Sequence, residues 1–283
     1  MKLGAHQSIA GGYHQALKRI KNIGGNTLQI FSSSPRGWHF PKINLDDINQ
    51  FLKLKRDLQI EPIYFHASYL INLADNSKIG SLSKKSLINE LILADKLGIK
   101  GSVVHLGSFK NPPLQKSYFQ NNFQYQILFD NIREVLSRTP KNTILIIENA
   151  GNRKIGQALE ELSFIFKQLK NPRLRLCLDT CHLFANGYCF QNKQELDSFL
   201  DKLQQLNLVD KLELWHLNDS RDPLNSGRDR HENIGQGKIG LEEFKILLNQ
   251  PQTKNYPFII ETPGFSNEGP DKKNLDILKS LVK

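Results

Sequence analysis

Along this chain, short and continuously apolar runs alternate with longer stretches in which apolar residues step by threes and fours. The runs are Leu3 to His6, Thr27 to Phe31, Pro62 to His66, Gly101 to His105, Thr143 to Glu148, Arg173 to Asp179, Lys211 to Leu217 and Pro257 to Glu261. Segments such as Ile144-Leu145-Ile146-Ile147 and Phe258-Ile259-Ile260 lack polar alternation, the pattern of parallel strands covered on both faces. Between the runs, Leu45, Ile48, Phe51 and Leu52, then Tyr125, Leu128, Ile132 and Val135, then Leu159, Leu162, Phe166 and Leu169, and finally Leu275, Leu278 and Val282 each form a stripe that predicts a helix with one buried face. Eight β–α units in 283 residues predict an α/β fold of the (β/α)8, or TIM, barrel type, built as a single domain over residues 1–283. A doubly wound sheet would place a G-x-G-x-x-G loop after its first strand; Gly11-Gly12 stands there without that spacing.

Two connections are longer than ordinary turns. Ser32 to Ile43 follows the second strand and carries Arg36 and Trp38; Asn218 to Gly240 follows the seventh and carries Asp229 and His231. Loops of this length in a compact domain are more often functional than idle.

The strand ends carry the chemistry. Read in order, the third to the eighth strand end on, or in the seventh one residue before the end carry, His66, His105, Glu148, Asp179, His216 and Glu261, which a barrel brings together at the C-terminal face of its strands. His182 of the D-T-C-H segment and the Asp229/His231 pair of G-R-D-R-H are expected to join them from loops on that face. One histidine after a strand is ordinarily a satisfied polar residue, but packing gives no reason for ionisable groups at the same point of six successive units. So many carboxylates and imidazoles are costly to desolvate without cations. Nine such residues, mixing imidazole with carboxylate, suit two or three ions of a borderline metal such as zinc.

Charge and composition narrow the partners. With 38 Lys+Arg against 28 Asp+Glu, the net charge is +10, and the pI is about 9.4. That balance favours a polyanion such as nucleic acid. A mean hydropathy of −0.43 and the lack of a long apolar run exclude a helical membrane span. The amino terminus shows no signal-peptide pattern, so a cytoplasmic location is expected. Cys177, Cys181 and Cys189 do not make a disulfide framework in a chain of this size and read as packed thiols.

Together these motifs resemble a known family. G-A-H-x-S at Gly4 to Ser8, S-Y-L-I-N-L at Ser68 to Leu73, I-E-N at Ile147 to Asn149, L-D-T-C-H at Leu178 to His182, H-L-N-D at His216 to Asp219, G-R-D-R-H-x-x-I-G-x-G-x-I-G at Gly227 to Gly240 and I-E-T at Ile260 to Thr262 resemble endonuclease IV, the zinc-dependent apurinic/apyrimidinic endonuclease. The resemblance implies a DNA-repair enzyme that cleaves double-stranded DNA on the 5′ side of an abasic site, leaving a 3′-hydroxyl and a 5′-deoxyribose phosphate. It implies three zinc ions: one on His66, His105 and Glu148, a second sharing Glu148 and held by Asp179, His216 and Glu261, and a third on His182, Asp229 and His231. A hydroxide between the two zincs that share Glu148 is the expected nucleophile, with Glu261 as ligand and proton acceptor. Arg36, Tyr69 and Leu70 are the implied DNA contacts, wedged into the stack where the damaged nucleotide turns out. A monomer is expected. One segment departs from the family pattern: Ala150 to Gly156 lacks a Thr after Asn149 and is shorter.

Two other readings compete. A metal-dependent sugar isomerase or epimerase shares the barrel, but such sites are rich in carboxylates suited to harder ions, and the basic charge fits DNA better. A non-catalytic nucleic-acid binder with structural zinc conflicts with ligands at an open barrel mouth, since structural sites are closed and usually rich in cysteine.

Overall fold

The computed structural model describes residues 1–38, 43–110, 123–151 and 154–283. His39 to Lys42 of the first long loop, and Asn152 and Arg153 of the departing segment, lie outside the described residues. Strands β1 (Lys2–His6), β2 (Thr27–Phe31), β3 (Ile63–His66), β4 (Gly101–Val104), β5 (Ile144–Glu148), β6 (Leu174–Asp179) and β7 (Leu212–His216) run in parallel. Two short strands, β8 (Asp219–Ser220) and β9 (His231–Glu232), precede β10 (Pro257–Ile260), which pairs with both β7 and β1 and closes an eight-stranded barrel.

Helices α1 (Tyr13–Asn22), α2 (Leu45–Leu58), α3 (Lys78–Lys96), α4 (Phe123–Ser137), α5 (Leu159–Leu169), α6 (Thr180–Ala185), α7 (Lys193–Gln205), α8 (Leu241–Asn249) and α9 (Lys272–Ser280) lie between and after the strands. The expected stripes fall on α2, α4, α5 and α9, although Leu45 at the start of α2 is exposed and α9 stops short of Val282. Among the described residues no helix is long and apolar enough to cross a membrane.

Two hydrophobic layers follow from the twofold alternation of strand side chains. Phe65, Val104, Ile147, Leu178, Trp215 and Phe258 face outward and pack with the helices in the larger buried cluster. Tyr64, Val103, Ile146, Cys177, Leu214 and Ile259 form a separate buried cluster inside the barrel. Two residues beyond each of these six stand His66, His105, Glu148, Asp179, His216 and Glu261. The same alternation that fills the barrel therefore raises all six on its inner wall, one layer towards the C-terminal mouth.

Three placements differ from the sequence reading. β4 ends at Val104 and β10 at Ile260, so His105 and Glu261 stand one residue past their strands, where hydrogen-bonded pairing has ceased but the alternation still points them inward. His182 lies on a helix instead of a loop: Asp179 caps α6, its Oδ1 accepting from the His182 backbone N–H at 3.0 Å. The loop from Asn218 to Gly240 contains the β8–β9 ladder, in which Ser220 pairs with His231.

Candidate metal centre

Ligand-capable atoms gather at the mouth in three sets, two of which share Glu148. His66, His105 and Glu148 form one; Glu148, Asp179, His216 and Glu261 form another; His182, Asp229 and His231 form a third, with the atoms of each set lying within 4.8 Å of one another. All nine residues singled out in the sequence are thus brought together. Glu148 is the hub: Oε2 lies 3.2 Å from Nε2 of both His66 and His105, while Oε1 lies 3.0 Å from His216 Nδ1 and 3.4 Å from His182 Nδ1. At the third set, Asp229 Oδ1 lies 3.0 Å from His182 Nε2 and 3.4 Å from His231 Nε2.

Hydrogen bonds made away from these sets orient the rings. His66 Nδ1 donates to the Ala67 carbonyl and His182 Nδ1 to the Asn149 carbonyl, each at 2.9 Å, which leaves the Nε2 lone pair facing a carboxylate in both cases. Asn218 ties two ligating segments together, donating from Nδ2 to Asp179 Oδ2 at 2.6 Å and accepting the Glu261 backbone N–H at 2.7 Å. Asp219 builds the loop that carries Asp229 and His231: its carboxylate accepts from the backbone N–H groups of Ser220, Gly235, Gly237 and Ile239 at 2.8–3.1 Å. A Cβ on Gly237 would meet Asp219 Oδ1 at 2.4 Å, so this approach requires glycine. Gly151 is likewise required, since a Cβ there would meet the His182 ring at 2.8 Å.

Electrostatics show how the cluster balances itself. Burial opposes charge on His182, but Asp179, Asp229 and Glu148 outweigh it and raise the imidazole to about 10. His216 is also driven well above its ordinary value against burial, by the carboxylates of Glu261 and Glu148. Burial alone dominates at His105, which falls to about 4, and at Asp179, whose carboxyl is raised. Burial likewise works against Glu148, yet the imidazoles of His105, His216 and His66 hold it well below the usual carboxylate range. Protons on imidazole are thus the counter-charge for buried carboxylates, and a divalent cation could replace them.

The donor set fits such a cation. His231 Nε2 is buried with no hydrogen-bond partner among the described residues, 3.4 Å from Asp229 Oδ1 and 3.7 Å from Asp179 Oδ2. A buried ring nitrogen facing two carboxylate oxygens without a hydrogen bond matches a position for a metal ion better than it matches packing. Cys177 and Cys181 also come near, but burial pushes the Cys177 thiol up to about 12 and the Cys181 thiol higher still, which favours the packed, protonated form.

Around the centre, a cavity of about 460 Å³ is lined by several of the nine residues together with His6, Phe31, Tyr69 and Thr262. A larger cavity of about 670 Å³ opens where Lys2, Lys100, Arg175 and Pro257 begin their strands, at the opposite end of the barrel. Two of its cations are met by one acid, Glu213 lying 2.5 Å from Lys100 and 3.6 Å from Arg175, and it holds none of the clustered histidines. Tyr69 is 65% exposed and Leu70 37%, both on the rim beside the centre, with the Tyr69 ring 5.5 Å from Phe31 and 6.3 Å from His66. Exposed Arg36 is held near them because Ser68 donates to the Pro35 carbonyl at 2.7 Å.

Several residues of the site escaped the sequence reading. His6, at the end of β1, lies 3.4 Å from Glu261 Oε1, and applying the strand-end rule to the first strand would have found it. Gln29, Asn218 and Asp219 act through hydrogen bonds; Asn218 and Asp219 belong to the H-L-N-D segment, whereas Gln29 left no signal. Arg228 and Arg230 of G-R-D-R-H both pair with Asp222.

The barrel and its ligand-bearing mouth define a class. Residues 17–281 match the xylose isomerase-like TIM barrel family. Within it, the chain belongs to the endonuclease 4 family: it is 35% identical over 287 residues to "Probable endonuclease 4" of Sulfurihydrogenibium sp. (strain YO3AOP1), covering 100% of both chains. It is also 38% identical to the protein of that name from Thermosipho africanus (strain TCF52B), covering 99% of each. The crystal structure of endonuclease IV from Thermus thermophilus superposes with a TM-score of 0.85 at 30% identity, covering 99% of this chain and 98% of that one. A D-tagatose 3-epimerase-like protein, at 21% identity and a TM-score of 0.69, shares the fold.

Proposed function

We propose that this protein is a DNA-repair endonuclease that hydrolyses the phosphodiester 5′ to an abasic site in double-stranded DNA, leaving a 3′-hydroxyl and a 5′-deoxyribose phosphate. The observation that carries this reading is the gathering of three imidazole–carboxylate sets at the barrel mouth, two of them sharing Glu148 and the third within 3.4 Å of it through His182, in a chain that belongs to the endonuclease 4 family. In this reading zinc is the metal and three ions are held: by His66, His105 and Glu148; by Glu148, Asp179, His216 and Glu261; and by His182, Asp229 and His231. Zinc, when bound, supplies positive charge to a phosphodiester and makes water acidic enough to attack near neutral pH.

The protein's own groups do the rest. Glu148 holds the sets in register through both carboxylate oxygens. Glu261 is kept ionised against burial by His216, His6 and His66, so it can take a proton from the attacking water. A nucleotide already without a base turns out at the least cost, and Arg36, Tyr69 and Leu70 on the rim are of the types that fill the gap it leaves. The likeness to epimerases rests on the fold and brings no comparable argument from the site.

The test is incision of a duplex containing one abasic site beside the undamaged duplex. Zinc-loaded protein is expected to cut only the damaged strand, 5′ to the lesion, and to leave an end that a polymerase extends. Glu148→Gln, which keeps the volume but removes a charge, is expected to lose several orders of magnitude of activity. An uncut abasic duplex, or full activity in Glu148→Gln, would overturn the proposal.

A further inference from the structure

An uncharged side chain links one carboxylate and two imidazoles at the centre. Gln29 lies in β2 and is completely buried. Its Nε2 donates to Glu261 Oε1 at 2.6 Å and lies 3.1 Å from His6 Nδ1, while its Oε1 lies 2.9 Å from His216 Nε2. The amide can sit only one way round. Reversed, it would set its oxygen 2.6 Å from a carboxylate oxygen, two acceptors with no hydrogen between them. With the NH2 group facing Glu261, the amide oxygen faces His216, so His216 Nε2 must be the nitrogen that carries hydrogen. When a cation replaces the second proton of that ring, the lone pair it meets is therefore on Nδ1, the atom 3.0 Å from Glu148 Oε1 and 3.4 Å from Glu261 Oε2.

We propose that Gln29 is a positioning residue of the metal centre: it selects the His216 tautomer whose Nδ1 can ligate and holds the Glu261 carboxylate against the same set. This rests on the reading of His216 and Glu261 as metal ligands. One planar amide performs both tasks because its donor and acceptor diverge from a single carbon, so the two ligands are oriented relative to each other as well as singly. A carboxylate at this position would accept from His216 but repel Glu261, and an apolar side chain would orient neither. Partners that orient metal ligands in this way typically contribute about 10–100-fold to metal affinity. Gln29 lies beneath the centre in the barrel interior and away from the rim, so its effect belongs to the metal and the chemical step, not to DNA docking.

The test compares zinc-loaded wild type with Gln29→Met and Gln29→Glu, each shown to be folded by circular dichroism. Metal retention is read by competition with a chromophoric chelator, ligand geometry by the visible spectrum after cobalt substitution, and kcat and KM on an abasic duplex. Gln29→Met is expected to release metal to the chelator about 10–100-fold more readily, with an altered cobalt spectrum, a lower kcat and little change in KM. Should Gln29→Met fail to fold, Gln29→Glu, close in volume, is expected to lose metal affinity through repulsion of Glu261. If the wild type retains zinc and the folded variants match it in affinity and spectrum, the inference on Gln29 falls alone. If the wild type retains no zinc, the assignment of the ligands falls and takes the inference with it.

Discussion

Tyr69 shows what a single residue of this site is asked to do. Its ring packs edge-on against Phe31 and near His66, yet 65% of the residue is exposed, an unusual share for an aromatic ring already packed on one side. If it and Arg36 fill the gap left by a displaced nucleotide, their removal matters most where a base stack must be held open. Tyr69→Ala and Arg36→Ala are therefore expected to slow incision of an abasic duplex more than incision of an abasic single strand, measured as kcat/KM on each. Equal losses on both substrates would leave these residues as a cap over the barrel and a stray phosphate contact. The ligands were legible at this scale because imidazole and carboxylate are rare at the end of a buried strand and recur there. Gln29 was not, since an amide inside a strand carries no charge to mark it and its partner Glu261 stands 232 residues away.

Among the elements, α3 is held to the barrel by an acid. Glu90 is buried on the inner side of α3, and its carboxyl accepts hydrogen bonds from Ser32, just past β2, and from Ser102 in β4. Burial raises it to about 7 in spite of those two hydroxyls, so the folded state holds a proton that the unfolded chain releases near 4.5. Its contribution to stability is complete below the unfolded value and is lost as pH rises through the folded one. Over that window the loss amounts to roughly 3 kcal/mol. Denaturant melts of Glu90→Gln, which cannot titrate, are expected to gain that much relative to the wild type between pH 4 and pH 8. Parallel pH profiles for the two proteins would show that Glu90 is not protonated in the fold.

Element boundaries were legible where periodicity had room to show. The stripes of α2, α4 and α5 were evident, but α6 has six residues, all buried, so no polar face contrasts with an apolar one. The sequence pattern around His182 is consequently that of a loop. The β8–β9 ladder has two residues in each strand, too few for alternation, and the four amides gathered by Asp219 leave no periodic trace.

For the whole molecule, the net charge of +10 is the broadest statement the sequence makes about partners. The barrel was legible from eight repeated units, because each must bury its strand on both sides. How that charge is distributed was less so: Arg228 and Arg230, two of its cations, are engaged by Asp222. Binding to duplex DNA is expected to weaken steeply as salt rises from 50 to 200 mM, by about tenfold or more if a few phosphates are contacted. A flat salt dependence in a filter-binding or anisotropy titration would point to a small neutral substrate.

The claim on which the rest depends is that the nine side chains at the mouth hold zinc. The measurement that reaches it most directly is the metal content of purified protein by inductively coupled plasma mass spectrometry, taken alongside incision before and after chelation. The account predicts about two to three zinc ions per chain, incision that survives brief exposure to EDTA, and loss of activity only as zinc leaves. Protein that carries no zinc and incises abasic DNA with magnesium alone would contradict it.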